Sequence, residues 1–308
     1  MKKLLFIVAA MFAAVSFSSC DKDDDNGGGS DFARPALPDP NDVCSCMDDL
    51  VFMQYCYENF DVNKDGKVSK TEANAVTKID LGYTYNYQDA YDVKTLTGIC
   101  YFPNLEIINC SNCKRLTSVD LSHNLKITVI QSETFYYCSD LKSIILPNSV
   151  TRIGKSAFYG CSSLTNITIP NSVTTIKSYT FYGCSSLTNI TIPNSVTTIE
   201  DAAFLGCSSL TNITIPNSVT TIKSYTFYGC SSLTNITIPN SVTTIEDAAF
   251  DECSKLKEIY CTPTNPPTLV ENKVFNSIVL YVPMKSVDAY KQANGWKKYA
   301  NQIVGYDF

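Results

Sequence analysis

From Cys161 to Gly183 the chain reads Cys-Ser-Ser-Leu-Thr-Asn-Ile-Thr-Ile-Pro-Asn-Ser-Val-Thr-Thr-Ile-Lys-Ser-Tyr-Thr-Phe-Tyr-Gly, and a near-copy of this unit follows at once. The pair of units then recurs without change, Gly160 to Phe204 matching Gly206 to Phe250 residue for residue. Cysteines mark the period at Cys138, Cys161, Cys184, Cys207, Cys230 and Cys253, a strict spacing of 23. A fixed period of this length predicts a solenoid, because such a unit buries its apolar face only by stacking on its neighbours. Stacks of this kind typically present extended binding surfaces rather than catalytic clefts.

Inside the unit, Leu164-x-x-Ile167-x-Ile169 alternates with period two and predicts a half-buried strand that Pro170 ends. Val173 and Ile176 form a second inward pair, and Phe181 with Cys184 closes the rung. Stacked rungs then make parallel sheets with about 4.8 Å between strands. Each periodic cysteine stands three residues after the core phenylalanine and three before the strand leucine. That place predicts a buried thiol rather than a metal ligand or a disulfide ladder.

The outward positions of the strand repeat as Thr165, Asn166, Thr168; Thr188, Asn189, Thr191; Thr211, Asn212, Thr214; and Thr234, Asn235, Thr237. Threonine is a good strand residue for its own sake. The face as a whole is nonetheless a hydroxyl and amide lattice suited to an extended protein or glycan, and these twelve residues are the candidate ligand contacts. Lys177, Glu200, Lys223 and Glu246 occupy one position in successive rungs, so stacking sets opposite charges side by side. Tyr179 and Tyr225 alternate with Ala202 and Ala248, which leaves each ring room over a small neighbour. Exposed tyrosines are common interface anchors, so Tyr179 and Tyr225, then Tyr182 and Tyr228, are further candidate contacts.

The 308 residues carry a net charge of -6 and no basic excess of the kind nucleic-acid binding needs. The chain's one histidine, His123, lies in the turn Leu121-Ser122-His123-Asn124 without a catalytic partner, and no catalytic residue is nominated. The chain is therefore expected not to be an enzyme. Residues 1–19 have signal-peptide anatomy, with Lys2 and Lys3, an apolar run, and Phe17-Ser18-Ser19 before Cys20. The segment resembles a bacterial lipoprotein signal, with Phe17 where leucine is usual, and implies acylation of Cys20. An ordinary secretion signal is the alternative. Asp21-Lys22-Asp23-Asp24-Asp25-Asn26 and Gly27-Gly28-Gly29-Ser30 read as part of a solvated tether over 20–41. The acidic run also resembles the tag that exports lipoproteins to the outer face of the outer membrane.

Asp61-Val62-Asn63-Lys64-Asp65-Gly66-Lys67-Val68-Ser69-Lys70-Thr71-Glu72 fits the twelve-residue EF-hand loop. Asp61, Asn63, Asp65, the Lys67 carbonyl, Ser69 through water and Glu72 supply the oxygens that a hard cation takes, and Gly66 permits the sharp turn. The entering helix is expected within 42–60 and the leaving one over 71–77. The loop has no second hand in sequence, and a structural Ca2+ that fixes the segment capping the solenoid is expected.

Apart from Cys20, the rung thiols and Cys261, the chain has Cys44, Cys46, Cys56, Cys100, Cys110 and Cys113, whose pairing the sequence cannot rank. Cys110 and Cys113 have the spacing of a metal pair. Cys110 also falls on the last inward position of Leu105-x-x-Ile108-x-Cys110 and reads as core. After Cys253 the pattern fades into Pro266-Pro267, a strand over 278–283, a helix over about 286–293, and Trp296, which is placed to cover the last open face.

These residues resemble the BspA-like leucine-rich repeat surface proteins of Gram-negative anaerobes, through the repeat unit and through Leu280-Tyr281-Val282-Pro283 with Ala289-Tyr290-Lys291 and Trp296. The calcium loop running into Val76-Thr77-Lys78-Ile79-Asp80-Leu81, then Phe102-Pro103-Asn104-Leu105, resembles the N-terminal region of many members. The resemblance implies an α/β leucine-rich repeat solenoid of 23-residue units with parallel strands, a small helical EF-hand-like N-terminal segment and a helical C-terminal cap. Its divisions are 42–80 for the helical segment, 81–137 for irregular leading repeats, 138–260 for regular repeats and 261–308 for the cap. It further implies a lipid-anchored adhesin exposed on the bacterial outer membrane, bound to host matrix or cell-surface proteins, to other bacteria or to glycans. A glycan-capturing part of a nutrient-uptake system and a structural spacer are the competing readings. The repeat register between 105 and 132 departs from strict spacing.

Overall fold

The computed structural model describes residues 34–82, 90–270, 275 and 278–308. The signal segment, Cys20 and the tether through residue 33 lie outside the described residues. Two short helices, α1 (Leu50–Phe60) and α2 (Lys70–Ala75), precede the strands. The strands are β1 (Lys78–Asp80), β2 (Ile107–Asn109), β3 (Ser118–Asp120), β4 (Val129–Ile130), β5 (Ser143–Ile145), β6 (Arg152–Ile153) and β7 (Thr175–Ile176). They continue as β8 (Thr198–Ile199), β9 (Thr221–Ile222), β10 (Asn235–Ile238), β11 (Thr244–Ile245), β12 (Glu258–Cys261), β13 (Thr268–Leu269) and β14 (Val279–Pro283). Helix α3 (Val287–Gln292) and β15 (Ile303–Tyr306) close the chain.

All described strand pairs are parallel, as a solenoid of 23-residue turns requires. One ladder carries the leucine strands: β3 beside β5, the Thr168–Thr191 bridge, then β10, β12, β14 and β15 in order. A second carries the Val-Thr-Thr-Ile segments, as β4-β6-β7-β8 and β9-β11-β13. A third side is held by main-chain bonds to the following rung. The N–H groups of Phe158, Phe181, Phe204 and Phe227 donate to the carbonyls of Thr180, Ala203, Thr226 and Ala249 at 2.9–3.0 Å.

The irregular start has a definite register. Leu105-x-x-Ile108-x-Cys110 mimics a leucine strand, yet it forms β2, which pairs with β1 and lies beside β4 in the second ladder. The leucine strand of that rung is Leu116-x-x-Val119-x-Leu121, in β3. Both segments alternate with period two, so periodicity alone does not say which ladder either joins.

The core is a stack of rings. Successive pairs from Phe135 through Phe158, Phe181, Phe204 and Phe227 to Phe250 lie 5.4–5.7 Å apart with planes within 11°, and Phe275 continues the stack at 6.1 Å. The strand leucines and isoleucines pack around it, fully or almost fully buried. Each rung also turns through two left-handed residues. One position is Glu133, Ser156, Tyr179, Ala202, Tyr225 or Ala248, with φ of 50–62°. The other is Gly160, Gly183, Gly206 or Gly229 in the central rungs, with φ of 68–73°.

Both ends differ from the middle. Helix α1 starts at Leu50 rather than near Asp42, because Asp49 caps it, accepting from the Val51 and Phe52 N–H groups at 2.9 Å. The second Asp49 oxygen accepts from the Lys94 N–H at 2.6 Å, which ties the cap to the first rung. Asp42 instead caps a separate 3-10 turn, Val43–Cys46. Residues 34–41, read above as the end of the tether, are bonded to the body: Asp39 pairs with Lys67 at 2.8 Å and the Pro35 carbonyl accepts from Tyr101. At the other end Trp296 is fully buried, and its indole N–H donates to the Pro267 carbonyl at 2.7 Å. The cap also supplies a strand, β15, which extends the first ladder beyond β14.

Candidate functional site

The leucine ladder sorts the twelve predicted contacts into two kinds. All are exposed. The hydroxyls of Thr165, Thr188 and Thr211, however, donate to the carbonyls of Lys142, Thr165 and Thr188 in the preceding rungs at 3.3 Å. The amides of Asn166, Asn189, Asn212 and Asn235 then donate to the adjacent threonine oxygens, that of Thr234 included, at 3.2–3.5 Å. These groups stitch rung to rung. Thr168, Thr191, Thr214 and Thr237 stand two residues beyond those asparagines, and their hydroxyls take no protein partner among the described residues. They are the part of the lattice that a ligand can use.

Along this ladder strand pairing lapses between the Thr168–Thr191 bridge and β10. A groove of about 440 Å3 opens there, lined by Asn212, Thr214, Asn235 and Thr237 from the predicted lattice. Asn194, Asn217, Pro216, Pro239 and Thr262 add to the lining, and Ile213, Ile215 and Ile236 form its apolar part. The asparagines were missed in sequence although the signal was present. Asn171, Asn194, Asn217 and Asn240 follow the strand proline at every period, and all four are exposed.

Tyr179 and Tyr225 do not join that face. They sit at left-handed positions of the third side, with φ of 60° and 57°, and are 36% and 42% exposed. Their rings lie 6.1 and 5.8 Å from Tyr182 and Tyr228. Tyr159 stacks on Tyr182 at 4.3 Å with planes 3° apart, and burial followed by the bond to Tyr182 pushes its phenol up. The structure thus holds two separate surfaces, one of hydroxyls and amides and one aromatic. Beside the tyrosines, Lys177 pairs with Glu200 at 2.7 Å and Lys223 with Glu246 at 2.8 Å. The alternation makes two discrete pairs rather than one continuous ladder.

The loop over 61–72 wraps its own carboxylates. Asp61 accepts from the Asp65 and Gly66 N–H groups, Asp65 from the Lys67 N–H, and Glu72 from those of Val62, Asn63 and Ser69. The Ser69 N–H and then its hydroxyl hold the Glu72 carboxyl below the usual glutamate range. Gly66 turns at φ +84°. The Val43 N–H donates to the Val68 carbonyl at 2.9 Å and the Val68 N–H to the Asp42 carboxylate at 3.1 Å, so one main-chain and one side-chain group take the place of the backbone partner that a second hand would give. Among the described residues no three His, Cys, Asp or Glu side chains are grouped to hold a metal alone. A cation here would need Asn63, Ser69 and the Lys67 carbonyl as well, and that mixed oxygen set suits Ca2+.

Cys110 and Cys113 are both buried, and His123 meets only the Ser122 hydroxyl, at 3.1 Å. Among the described residues no helix is long and apolar enough to cross a membrane.

The chain matches the family described as BspA type Leucine rich repeat region (6 copies) over residues 106–199 and 174–282. No curated protein matches it. Among solved structures it is similar to a leucine-rich repeat protein of T. pallidum, at 30% identity over 62% of this chain and 84% of that one, with a TM-score of 0.46. It is also similar to a leucine-rich cell surface protein of Faecalibacterium prausnitzii A2-165, at 21% identity over 76% and 83% of the two chains, with a TM-score of 0.35. For a leucine-rich repeat protein of Bacteroides ovatus ATCC 8483 the figures are 22%, 67% and 63%, with a TM-score of 0.42. The family match takes in the rungs from β2 through β14 and covers more than half of the sequence, so the chain belongs to the BspA-type leucine-rich repeat family, a family of binding and structural proteins rather than of enzymes.

Proposed function

We propose that the protein is a lipid-anchored surface adhesin, held to the bacterial outer membrane through Cys20, that binds a host or bacterial surface protein or a glycan along its leucine ladder. The observation that carries this reading is the row of unpartnered hydroxyls at Thr168, Thr191, Thr214 and Thr237, which leads into the groove between Asn194 and Thr262. Leucine-rich repeat proteins generally bind other proteins, and solenoids use extended repeat surfaces to do so. Many weak, evenly spaced contacts would give avidity without one tight site. A structural Ca2+ on Asp61, Asn63, Asp65, Lys67, Ser69 and Glu72 would lock the loop against Val43 and so hold the first rung.

Glycan capture for a nutrient-uptake system is the second reading. The groove suits it, because amides and hydroxyls beside the apolar surface of Ile213, Ile215, Ile236 and the prolines can meet both the hydroxyls and the C–H faces of a sugar. Binding of the full chain to panels of matrix proteins and glycans, in calcium and in chelator, separates the two. Thr214→Val with Thr237→Val keeps the shape and removes the two free hydroxyls in the groove, and should weaken binding at least about tenfold. Thr165→Val, which removes the bond to Lys142 and the one from Asn166 but no free hydroxyl, should leave it intact. Retention of binding in the double variant, or silence on both panels, would overturn the assignment of this face. Loss in chelator would make the calcium loop necessary.

A further inference from the structure

The leucine ladder changes chemistry as it reaches the cap. In the middle rungs its outward rows are asparagine and threonine, and parallel register carries both rows onward. Asn235 is followed by Glu258 and Val279, and Thr237 by Tyr260 and Tyr281. Strand β15 then sets Val304 beside Tyr281 and adds Tyr306. The row of free hydroxyls therefore runs directly into aromatic rings.

Those rings form one cluster. Tyr260 and Tyr281 stack with centroids 4.9 Å apart and planes within 15°. Tyr306 lies beside both, at 5.5 and 5.4 Å and steeply tilted, and Phe308 meets Tyr306 at 5.0 Å. Joining β15 to the ladder accounts for Tyr260 and Tyr281, which are half-buried. It does not account for the outer rings, since Tyr306 is 42% and Phe308 56% exposed, and Val279 and Val304 are exposed on the same two strands. Upstream, threonine fills the row that Tyr260 and Tyr281 continue, so the strand itself needs no ring there. Exposed apolar surface gathered in one place in this way marks a binding surface.

Three features fix the class of ligand. The groove that holds Thr237, one rung from Tyr260, is lined by amides, hydroxyls, prolines and isoleucines and by no charged side chain. The charge bonded to the ring cluster is negative, because the Tyr260 hydroxyl donates to Glu258 at 3.0 Å, whereas Lys257 stands three residues before Tyr260 in the row of Thr234. Rungs repeat about every 4.8 Å, close to the advance per residue of an extended pyranose chain. A pyranose has the two surfaces this face can meet: C–H faces that lie on an aromatic ring, and rim hydroxyls that pair with amides and hydroxyls.

We infer that Tyr306, held in place by Tyr260 and Tyr281, is the ring-stacking subsite for a neutral glycan that runs along the ladder from the groove toward the cap, an assignment that rests on the leucine ladder as the binding face. One sugar per rung reaches from Thr214 and Thr237 past Tyr260 to Tyr306. A carboxylate or sulfate on the sugar would be set against Glu258.

The full chain is run in native gels that each hold one polysaccharide: mannan, xylan, mixed-linkage β-glucan and amylopectin as neutral probes, polygalacturonate and chondroitin sulfate as anionic ones. Retardation by a neutral probe and not by the anionic ones is expected. Tyr306→Ala and Tyr306→Leu should each weaken that binding at least about tenfold, the effect of losing one aromatic anchor. Tyr306→Phe should retain it, because the ring remains. Leucine keeps apolar bulk without a flat face, so a urea transition matching the parent's separates loss of stacking from loss of fold. Unchanged retardation of Tyr306→Leu, no retardation by any neutral probe, or retardation by an anionic probe as strong as by any neutral one would overturn the assignment. The ladder reading has its own readout: if Thr214→Val with Thr237→Val loses glycan or matrix-protein binding while Tyr306→Leu keeps it, the ladder binds without the ring platform.

Discussion

Replacing Phe204 by alanine tests the claim that a column of rings supports this fold. Phe204 is fully buried, with Phe181 at 5.4 Å and Phe227 at 5.7 Å and planes within 10° and 5° of its own. Removing a buried phenylalanine ring costs about 3–5 kcal/mol. The upper half of that range applies, because two hydrogen-bonded rungs flank the gap and neither can collapse into it. Phe204→Leu keeps most of the volume and should cost roughly 1–1.5 kcal/mol. Urea unfolding followed by far-ultraviolet circular dichroism reads both. In a solenoid, stability is a sum over rungs and their interfaces, so a gap at the middle rung should also lower the slope of the transition as the two halves uncouple. A cost below about 1 kcal/mol for Phe204→Ala, with the slope unchanged, would refute the ring column as the main core contact.

Three further outcomes follow from the same geometry. Gly206→Ala should cost about 1 kcal/mol from its left-handed backbone alone, since an added Cβ meets only Gly183 at 3.7 Å. Gly160→Ala should cost more, because its Cβ would fall 2.7 Å from the Tyr137 ring, and thermal unfolding ranks the two. At Glu200 and Glu246 burial raises the carboxyl, but the bonds from Lys177 with Ser178 and from Lys223 with Ser224 outweigh it and hold both below 4.5. A depressed carboxylate stabilises above its unfolded value and loses that contribution as pH falls through the folded one. Glu200→Gln with Glu246→Gln should therefore flatten the acid limb of the stability curve, by under about 1 kcal/mol per pair, and leave the region above neutral pH unchanged in shape. Glu72→Gln should weaken calcium binding measured by calorimetry and remove any thermal shift caused by chelator.

The rungs were legible in sequence because each position repeats often enough to show its role. Leu164, Ile167, Val173, Ile176, Phe181 and Cys184 are all buried as their spacing requires. What periodicity could not assign was identity of ladder. Leu105-x-x-Ile108-x-Cys110 and Leu116-x-x-Val119-x-Leu121 alternate alike, and only the pairing of β1 with β2 separates them. Cap details were hidden for a similar reason. Asp42 and Asp49 are both good N-caps, and the choice between them rests on contacts to Val68 and Lys94, far along the chain.

The two identical blocks show where sequence stops and position begins. Asn189 to Ile192 and Asn235 to Ile238 are the same four residues at the same place in the repeat. The second set forms β10 because β12 lies beside it, and β12 is held in turn by β14 and β15 of the cap. The first set has no such support and keeps a single bridge through Thr191. The groove sits where these two conditions meet, so Thr214 and Thr237 line it while the chemically identical Thr168 does not. A ligand that prefers the groove would thus be selected by the distance of a rung from the C-terminal cap. Deleting the 46 positions from Cys161 to Gly206 removes two rungs and puts Asn148 in the place of Asn194, and should leave a groove that still holds Thr214 and Thr237. Equal loss of binding from that deletion and from the Thr214→Val, Thr237→Val variant would mean instead that the whole lattice is read, rung by rung.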